Sequence, residues 1–251
     1  LPGGANVMQN GTLRPGAPVA WFPMVQMETG NPNIQLRTTV HAAFAVVDVA
    51  LAQELGGQRT HLERVLARPV SQPTALDFSP NGAVAFIVNM ASDDLAILAA
   101  GTRTQIGNII DVGSAPQGIA VTPDGQKAYV LNYLGRSVTV VSVANPAAAS
   151  VLSTVTITGE SLPADILNGK KFFFTSRGRM STDNWIACIS CHPNAGSDGR
   201  DWNFTRVDEG IRNTTDIRGI RDSGAVHWTA NMDELQDLEF NIRNLQFGAG
   251  L

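Results

Sequence analysis

The chain has 251 residues, enough for one large domain or two ordinary ones, and its 43% hydrophobic and 16% charged content is that of a globular protein. A net charge of −4, with no run of five or six like charges, points away from nucleic acid and acidic membrane surfaces as partners. No stretch approaches the roughly 18 consecutive apolar residues of a membrane span; no signal peptide is present, and a start at Leu1 rather than Met is expected of a processed or trimmed polypeptide.

Residues 1–40 are rich in Gly, Pro and Asn and read as loop, with a partial strand pair around Val19–Met27. The apolar run Phe44-Ala45-Val46-Val47-Asp48-Val49 then opens a unit that recurs. Pro73 to Asn89 reads PTALDFSPNGAVAFIVN, and Pro116 to Asn132 reads PQGIAVTPDGQKAYVLN. Pro73 and Pro116, Pro80 and Pro123, Gly82 and Gly125, and Asn89 and Asn132 each stand 43 residues apart. That period falls in the ~40–50 residue range of a propeller blade. Pro-Asn-Gly and Pro-Asp-Gly are turn signals, because Pro presets φ and Gly accepts a positive one. They separate short apolar strands at residues 75–78 and 83–88 in one copy, and 118–121 and 128–131 in the next. A further strand follows each pair, at 94–98 and 137–143.

This half resembles the YVTN-type seven-bladed β-propellers, through Pro-x-x-Ile/Leu-x-Phe/Val-x-Pro-Asn/Asp-Gly followed by Tyr-Val-Leu-Asn. The resemblance covers about Ala42 to Thr158 and implies a ring of blades. Residues 1–160 hold two clear blades and one or two degenerate ones, too few to close seven. Further blades are therefore expected from a longer form of the same polypeptide or from another chain, with the segment reading preferred. His41 and His61 lie in this half and read as surface or hydrogen-bonded core residues.

Composition changes after Gly159, where Val and Ile thin out and Arg, Asp, Asn and Trp become frequent. Residues 162–174, LPADILNGKKFFF, predict a short helix, and 232–244 a second. Between them lies the run Cys188-Ile189-Ser190-Cys191-His192, which holds both cysteines of the chain. So short a loop is no disulfide framework. A thioredoxin-like pair is the bland reading, but a His directly after the second Cys predicts one covalently attached haem c. Thiols one helical turn apart reach the two vinyl groups, and His192 then supplies the proximal iron ligand. Covalent attachment of this kind implies a periplasmic or cell-surface location, and no other cofactor motif occurs.

Residues 162–251 resemble the first haem domain of the di-haem cytochrome c peroxidase superfamily. The likeness rests on Gly169-Lys170-Lys171-Phe172-Phe173, Met180-Ser181, Gly210-Ile211-Arg212-Asn213-Thr214 and His227-Trp228. It implies that Trp228 is an electron relay between haems and that Arg212 holds a haem propionate. Thr215 stands where that family usually has Pro, and Thr229-Ala230-Asn231 where it has Asp-Gly-Arg. No second Cys-x-x-Cys-His is present, so a second haem would lie outside this chain. For the sixth iron position His227, Met232 and an open iron all remain, with Met180 a weaker alternative. Arg177, Arg179, Arg200 and Arg218 read mainly as solvated charge, Trp185 and Trp202 as packing. Asp198, Asp201 and Asp208 lack calcium-loop spacing.

The expected architecture is multidomain: an all-β propeller portion with an incomplete ring, residues 1–160, plus an α-helical cytochrome c domain, residues 161–251. The expected function is extracytoplasmic electron transfer to a redox protein partner or another haem, with the propeller as docking scaffold. The alternatives are a peroxidase-like oxidoreductase with an open iron site, and an interaction module whose haem is structural.

Overall fold

The computed structural model describes residues 5–251. Its strands form three antiparallel sheets and one short hairpin. The first sheet contains β1 (Ala5–Met8), β2 (Thr12–Leu13), β3 (Val19–Met27), β4 (Val40–Asp48), β5 (Gln53–Glu54) and β6 (Thr60–His61), and helix α1 (Leu62–Val65) follows directly. The second holds β7 (Pro73–Phe78), β8 (Val84–Asn89), β9 (Asp94–Ala99) and β10 (Ile110–Asp111) in meander order. The third repeats that order with β11 (Pro116–Val121), β12 (Lys127–Asn132), β13 (Ser137–Ser142) and β14 (Ser150–Thr156).

The 43-residue repeat appears as two blades of the same strand order, with matching irregularities in their first strands. Each first strand shifts register one residue after its proline, between Pro73 and Ala75 and between Pro116 and Gly118. Gly82 and Gly125 close the first turns at φ +67° and +69°. Their amides bond Ser79 O and Thr122 O at 2.8 Å. Asn81 and Asp124 brace the same turns by accepting from Ala83 N and Gln126 N. At Gly82 the carbonyl of Pro15 comes so close that a Cβ would stand 2.1 Å from it, so the first sheet's loop seats on this glycine.

Alternation along each strand sends one face to each neighbouring blade. Ala85, Ile87, Ala96 and Leu98 pack against Trp21, Phe44, Leu62 and Phe78, joining the first sheet to the second. Trp21 stacks on Phe44 at 4.2 Å and meets Phe78 edge-on. The opposite face of the second sheet, Phe86, Val88, Leu95 and Ile97, packs against Ala128, Val130, Val141 and Val143 of the third. Hydrogen bonds cross the same seam, from Thr74 Oγ1 to Pro116 O at 2.9 Å and from Val121 N to Asp77 Oδ2 at 2.8 Å. The third sheet ends differently. Tyr129 and Leu131, the repeat mates of Phe86 and Val88, are 41% and 46% exposed, against 1% and 0%.

Residues 161–251 do not form the expected α-helical cytochrome domain. The helices there are α2 (Ala164–Phe174), α3 (Cys188–Cys191) and α4 (Glu239–Asn244), and α2 buries none of its residues. A hairpin of β15 (Asp201–Phe204) and β16 (Gly210–Asn213) lies among them. Only the last six residues of the 232–244 segment are α-helical, after a 3-10 turn at Leu235–Leu238. Left-handed residues at Asp183, Asn184, Asn194, Ala195, Asp208, His227 and Ala230 break the chain into turns, so no helix grows long enough to pack on another. The apolar residues go to the blades instead. Trp185, Ile186 and Trp202 share a core with Val25, Met27, Ile34 and Val40, while Ala187 and Ile189 pack with Met90, Ala91, Ala115 and Leu134. A single propeller-like body therefore replaces two domains with separate cores. Among the described residues no helix is long and apolar enough to cross a membrane.

Candidate functional site

The Cys-x-x-Cys-His run sits on the single turn of α3, where His192 N bonds Cys188 O at 3.0 Å. Ser190 caps the turn by accepting from Ala187 N, and buried Ile189 anchors it on the second and third blades. Both thiols are free and half-buried. Burial pushes both above the ordinary thiol range, Cys191 further with Asp198 adding to the effect. A reactive dithiol pair needs the opposite, an electropositive setting that holds a thiolate. Gln246 Nε2 approaches Cys188 Sγ at 3.7 Å, a neighbour 58 residues away that no local motif signals.

His192 is oriented by backbone alone. Its Nδ1 lies 3.0 Å from Thr215 O and 3.2 Å from Gly196 O. Two carbonyls can only accept, so Nδ1 carries the proton and Nε2 the lone pair. Nε2 has no hydrogen-bond partner among the described residues. Burial lowers the ring's basicity, and the two carbonyls oppose that only in part. A neutral imidazole with Nδ1–H fixed on a carbonyl is the form that binds a metal through Nε2. With two thiols one turn apart, the donor set fits a c-type haem.

Two of the other predicted residues, Arg212 and His227, meet at the buried carboxylate of Glu209. Thr229 Oγ1 donates to Glu209 Oε1 at 2.7 Å, and Arg212 Nε and His227 Nδ1 each stand 3.6 Å from a carboxylate oxygen. His227 is engaged at both nitrogens. Asn241 Nδ2 donates to Nε2 at 3.0 Å, which leaves Nδ1–H to donate to Asn231 Oδ1 at 3.2 Å. Iron ligation by His227 would cost the Asn241 bond. Met232 is buried, its carbonyl accepting from Val226 N in an isolated bridge, and Met180 is buried too. Trp228 is 61% exposed, with Nε1 donating to Asn213 O at 2.6 Å. Arg177 reaches back to the second blade, contacting Ser92 O, Asp93 O and Asp111. Arg179 bonds Gly250 O, and Arg218 pairs with Asp216. Glu209 was not legible beforehand, because nothing local distinguishes it from a surface acid.

No protein-family model matches the chain, and no curated protein matches it. Solved structures do. Hydrazine synthase of Kuenenia stuttgartiensis is similar with a TM-score of 0.50 and 15% identity, over 56% of this chain and 46% of that one. A functionally unknown protein of Desulfotomaculum acetoxidans has a TM-score of 0.45 at 16% identity, over 61% and 43%. The periplasmic gluconolactonase of Pseudomonas aeruginosa has 0.40 at 18%, over 57% and 41%. This chain thus spans less than half the length of each. At such identities the likeness concerns fold alone, and the fold is β-propeller-like.

Proposed function

We propose that this chain is a c-type haem protein that passes single electrons outside the cytoplasm, with the blades as docking scaffold. One observation carries the reading: His192 has Nδ1–H held by Thr215 O and Gly196 O, and Nε2 left for iron. When bound, the haem supplies a one-electron iron couple whose potential depends on its axial ligands and surroundings. Cys188 and Cys191 offer one thiol each for thioether attachment, and the α3 turn holds them at the needed spacing. Burial raises both thiols above their ordinary range, which disfavours dithiol exchange. Thr215 and Gly196 fix the imidazole plane, so a change of iron charge meets a ligand that need not reorient. Trp228 presents its indole at the surface, tethered through Nε1, where a redox partner or a second haem can approach. This role for Trp228 is what the resemblance to the di-haem cytochrome c peroxidase superfamily implies, whereas the YVTN-type likeness concerns the blades. A periplasmic or cell-surface location follows from the attachment chemistry.

A second reading is a peroxidase-like oxidoreductase with an open iron position, its second haem lying outside this chain. It draws on His227, whose two nitrogens are both taken by asparagines. The test is expression in cells competent for c-type maturation, followed by a haem stain after denaturation and by optical and EPR spectra with and without hydrogen peroxide. Covalent haem that disappears in Cys188→Ala/Cys191→Ala is the expected result. A low-spin spectrum indifferent to peroxide selects the carrier, and a high-spin ferric signal that peroxide converts selects the second reading. No haem from such cells would overturn both.

A further inference from the structure

A second cluster of metal-binding side chains lies in the first blade, apart from the Cys-x-x-Cys-His turn. β6 pairs with β4 so that His61 faces Ala43, which puts His41, two residues along β4, on the same face beside it. Gln26 of β3 is paired directly with His41. Glu63, the second residue of α1, folds its carboxylate back onto the two imidazoles. His41 Nδ1 is 2.8 Å and His61 Nδ1 3.6 Å from the same oxygen, Glu63 Oε1, and the rings stack at 4.3 Å. One ligand atom from each of the three residues lies within 4.8 Å of the others.

The hydrogen bonding around the cluster leaves it incomplete. Arg59, itself held by both oxygens of Glu54, donates to Gln26 Oε1 at 3.2 Å. That fixes the Gln26 amide with its oxygen inward. His61 Nε2 lies 3.0 Å from this oxygen and must therefore donate to it. The proton of His61 is then on Nε2, and Nδ1 presents a lone pair to a carboxylate oxygen, acceptor facing acceptor. Neither His61 Nδ1 nor Glu63 Oε2 has a hydrogen-bond partner, although both atoms are shielded from solvent and Glu63 is 4% exposed. Two buried acceptors left in that state call for a cation.

We propose that His41, His61 and Glu63 form a binding site for a divalent first-row transition ion, zinc foremost. Two imidazole nitrogens and one carboxylate, with a fourth position for water, are a recurring zinc donor set. Tetrahedral bonds of about 2.0–2.2 Å place donors roughly 3.3–3.6 Å apart, against 2.8 and 3.6 Å from the two imidazole nitrogens to Glu63 Oε1 here. Gln26 is the partner that turns the His61 lone pair inward, as ligating histidines require. Three arginines stand nearby and oppose a cation: Arg59 is paired with Glu54, Arg37 Nη2 reaches the Glu63 carbonyl at 3.5 Å, and Arg64, whose Nε stands 3.9 Å from Glu63 Oε1, has a mostly exposed side chain able to withdraw. His61 is the least buried of the three, with 14% of its side chain exposed.

Calorimetric zinc titration of the full chain after chelator treatment, with metal content by mass spectrometry, tests this. Cys188, Cys191 and His192 can also take zinc while haem is absent, so the comparison is made in Cys188→Ser/Cys191→Ser. One equivalent of zinc is expected there, weakened at least tenfold by Glu63→Gln and by His61→Ala. Cobalt at the same site should give tetrahedral visible bands that both variants lose. Glu63→Gln is isosteric and His61 is partly exposed, so circular dichroism should show both folded; if either is not, zinc-dependent melting of the parent against the other decides. No zinc uptake without the cysteines, or uptake that neither substitution weakens, would overturn the site.

Discussion

Asp94 is the acid whose ionisation should govern the pH dependence of this fold. It opens β9 with no exposed surface. Asn89 Nδ2 donates to Oδ1 at 2.7 Å, while Oδ2 lies 3.0 Å from Arg68 Nη1 without hydrogen-bond geometry and 3.8 Å from Arg177. Burial outweighs both guanidiniums and the Asn89 and Ser92 bonds, and raises its pKa from 3.8 to about 7. The folded chain therefore keeps a proton between pH 4 and 7 that the unfolded chain has released. Stability contributed by that proton is full below pH 4, falls as pH rises, and is gone above 7. At about 1.4 kcal/mol per pH unit, the loss approaches 4 kcal/mol over the window and about 3 kcal/mol from pH 5 to 8. Asp94→Asn removes the titration. Urea unfolding of both proteins at pH 5, 6, 7 and 8 should show the variant gaining about 3 kcal/mol on the parent across the series. His61, lowered to about 4 mainly by burial, has the opposite slope between pH 4 and 6.5, and buried Asp93 the same slope as Asp94. Both groups are common to the two proteins and cancel in the difference. Parallel stability curves would refute the reasoning.

The repeat supplies a matched pair: Val88→Lys should unfold the chain, while Leu131→Lys, at the equivalent exposed position, should shift stability by no more than about 0.5 kcal/mol, read from melting temperatures. Trp21→Ala empties the stack with Phe44 and Phe78 and should cost about 3–5 kcal/mol in urea unfolding, with the slope unchanged. Arg177→Ala removes a charged donor to Ser92 O and Asp93 O and should cost about 2 kcal/mol, with hydrogen exchange rising first around 176–187.

What the sequence disclosed was whatever chemistry repeated locally. Pro80-Asn81-Gly82 and Pro123-Asp124-Gly125 act within four residues, so both blades and their strands were legible. β14 was missed, since SVLSTVT carries no turn signal of its own and pairs only because β13 lies beside it. The error over residues 161–251 has a different origin. The helix over 162–174 was read from its own residues and forms as α2, but the α-helical domain around Cys188 to His192 was inferred from family likeness, against a local run of Gly, Asp and Asn. The hairpin of β15 and β16 depends on Trp202, which is buried only because Val25, Met27 and Val40 are there to receive it. His41 and His61 looked like two unrelated histidines; the pairing of Ala43 with His61 across the connector between β4 and β6 is what makes them neighbours.

The placement of Trp202 also bears on the Cys-x-x-Cys-His turn. His192 takes its orientation from Thr215 and Gly196, which are tied down in sequence by Thr214 N to Arg200 O and Ile217 N to Ala195 O, each at 3.0 Å. Arg200 directly precedes β15, and β15 is held by Trp202 under the first blade, with Asn203 N bonding Thr29 O at 2.8 Å. Trp202 Nε1 in turn donates to Asp198, the carboxylate that raises Cys191 further after burial. Among the described residues the segment's apolar side chains join the cores of the blades, so the geometry of His192 is set in part by the first blade. That makes the propeller part of the site's rigid frame, and explains why the short turns after residue 160 can hold one imidazole in a single orientation without a helical bundle around it.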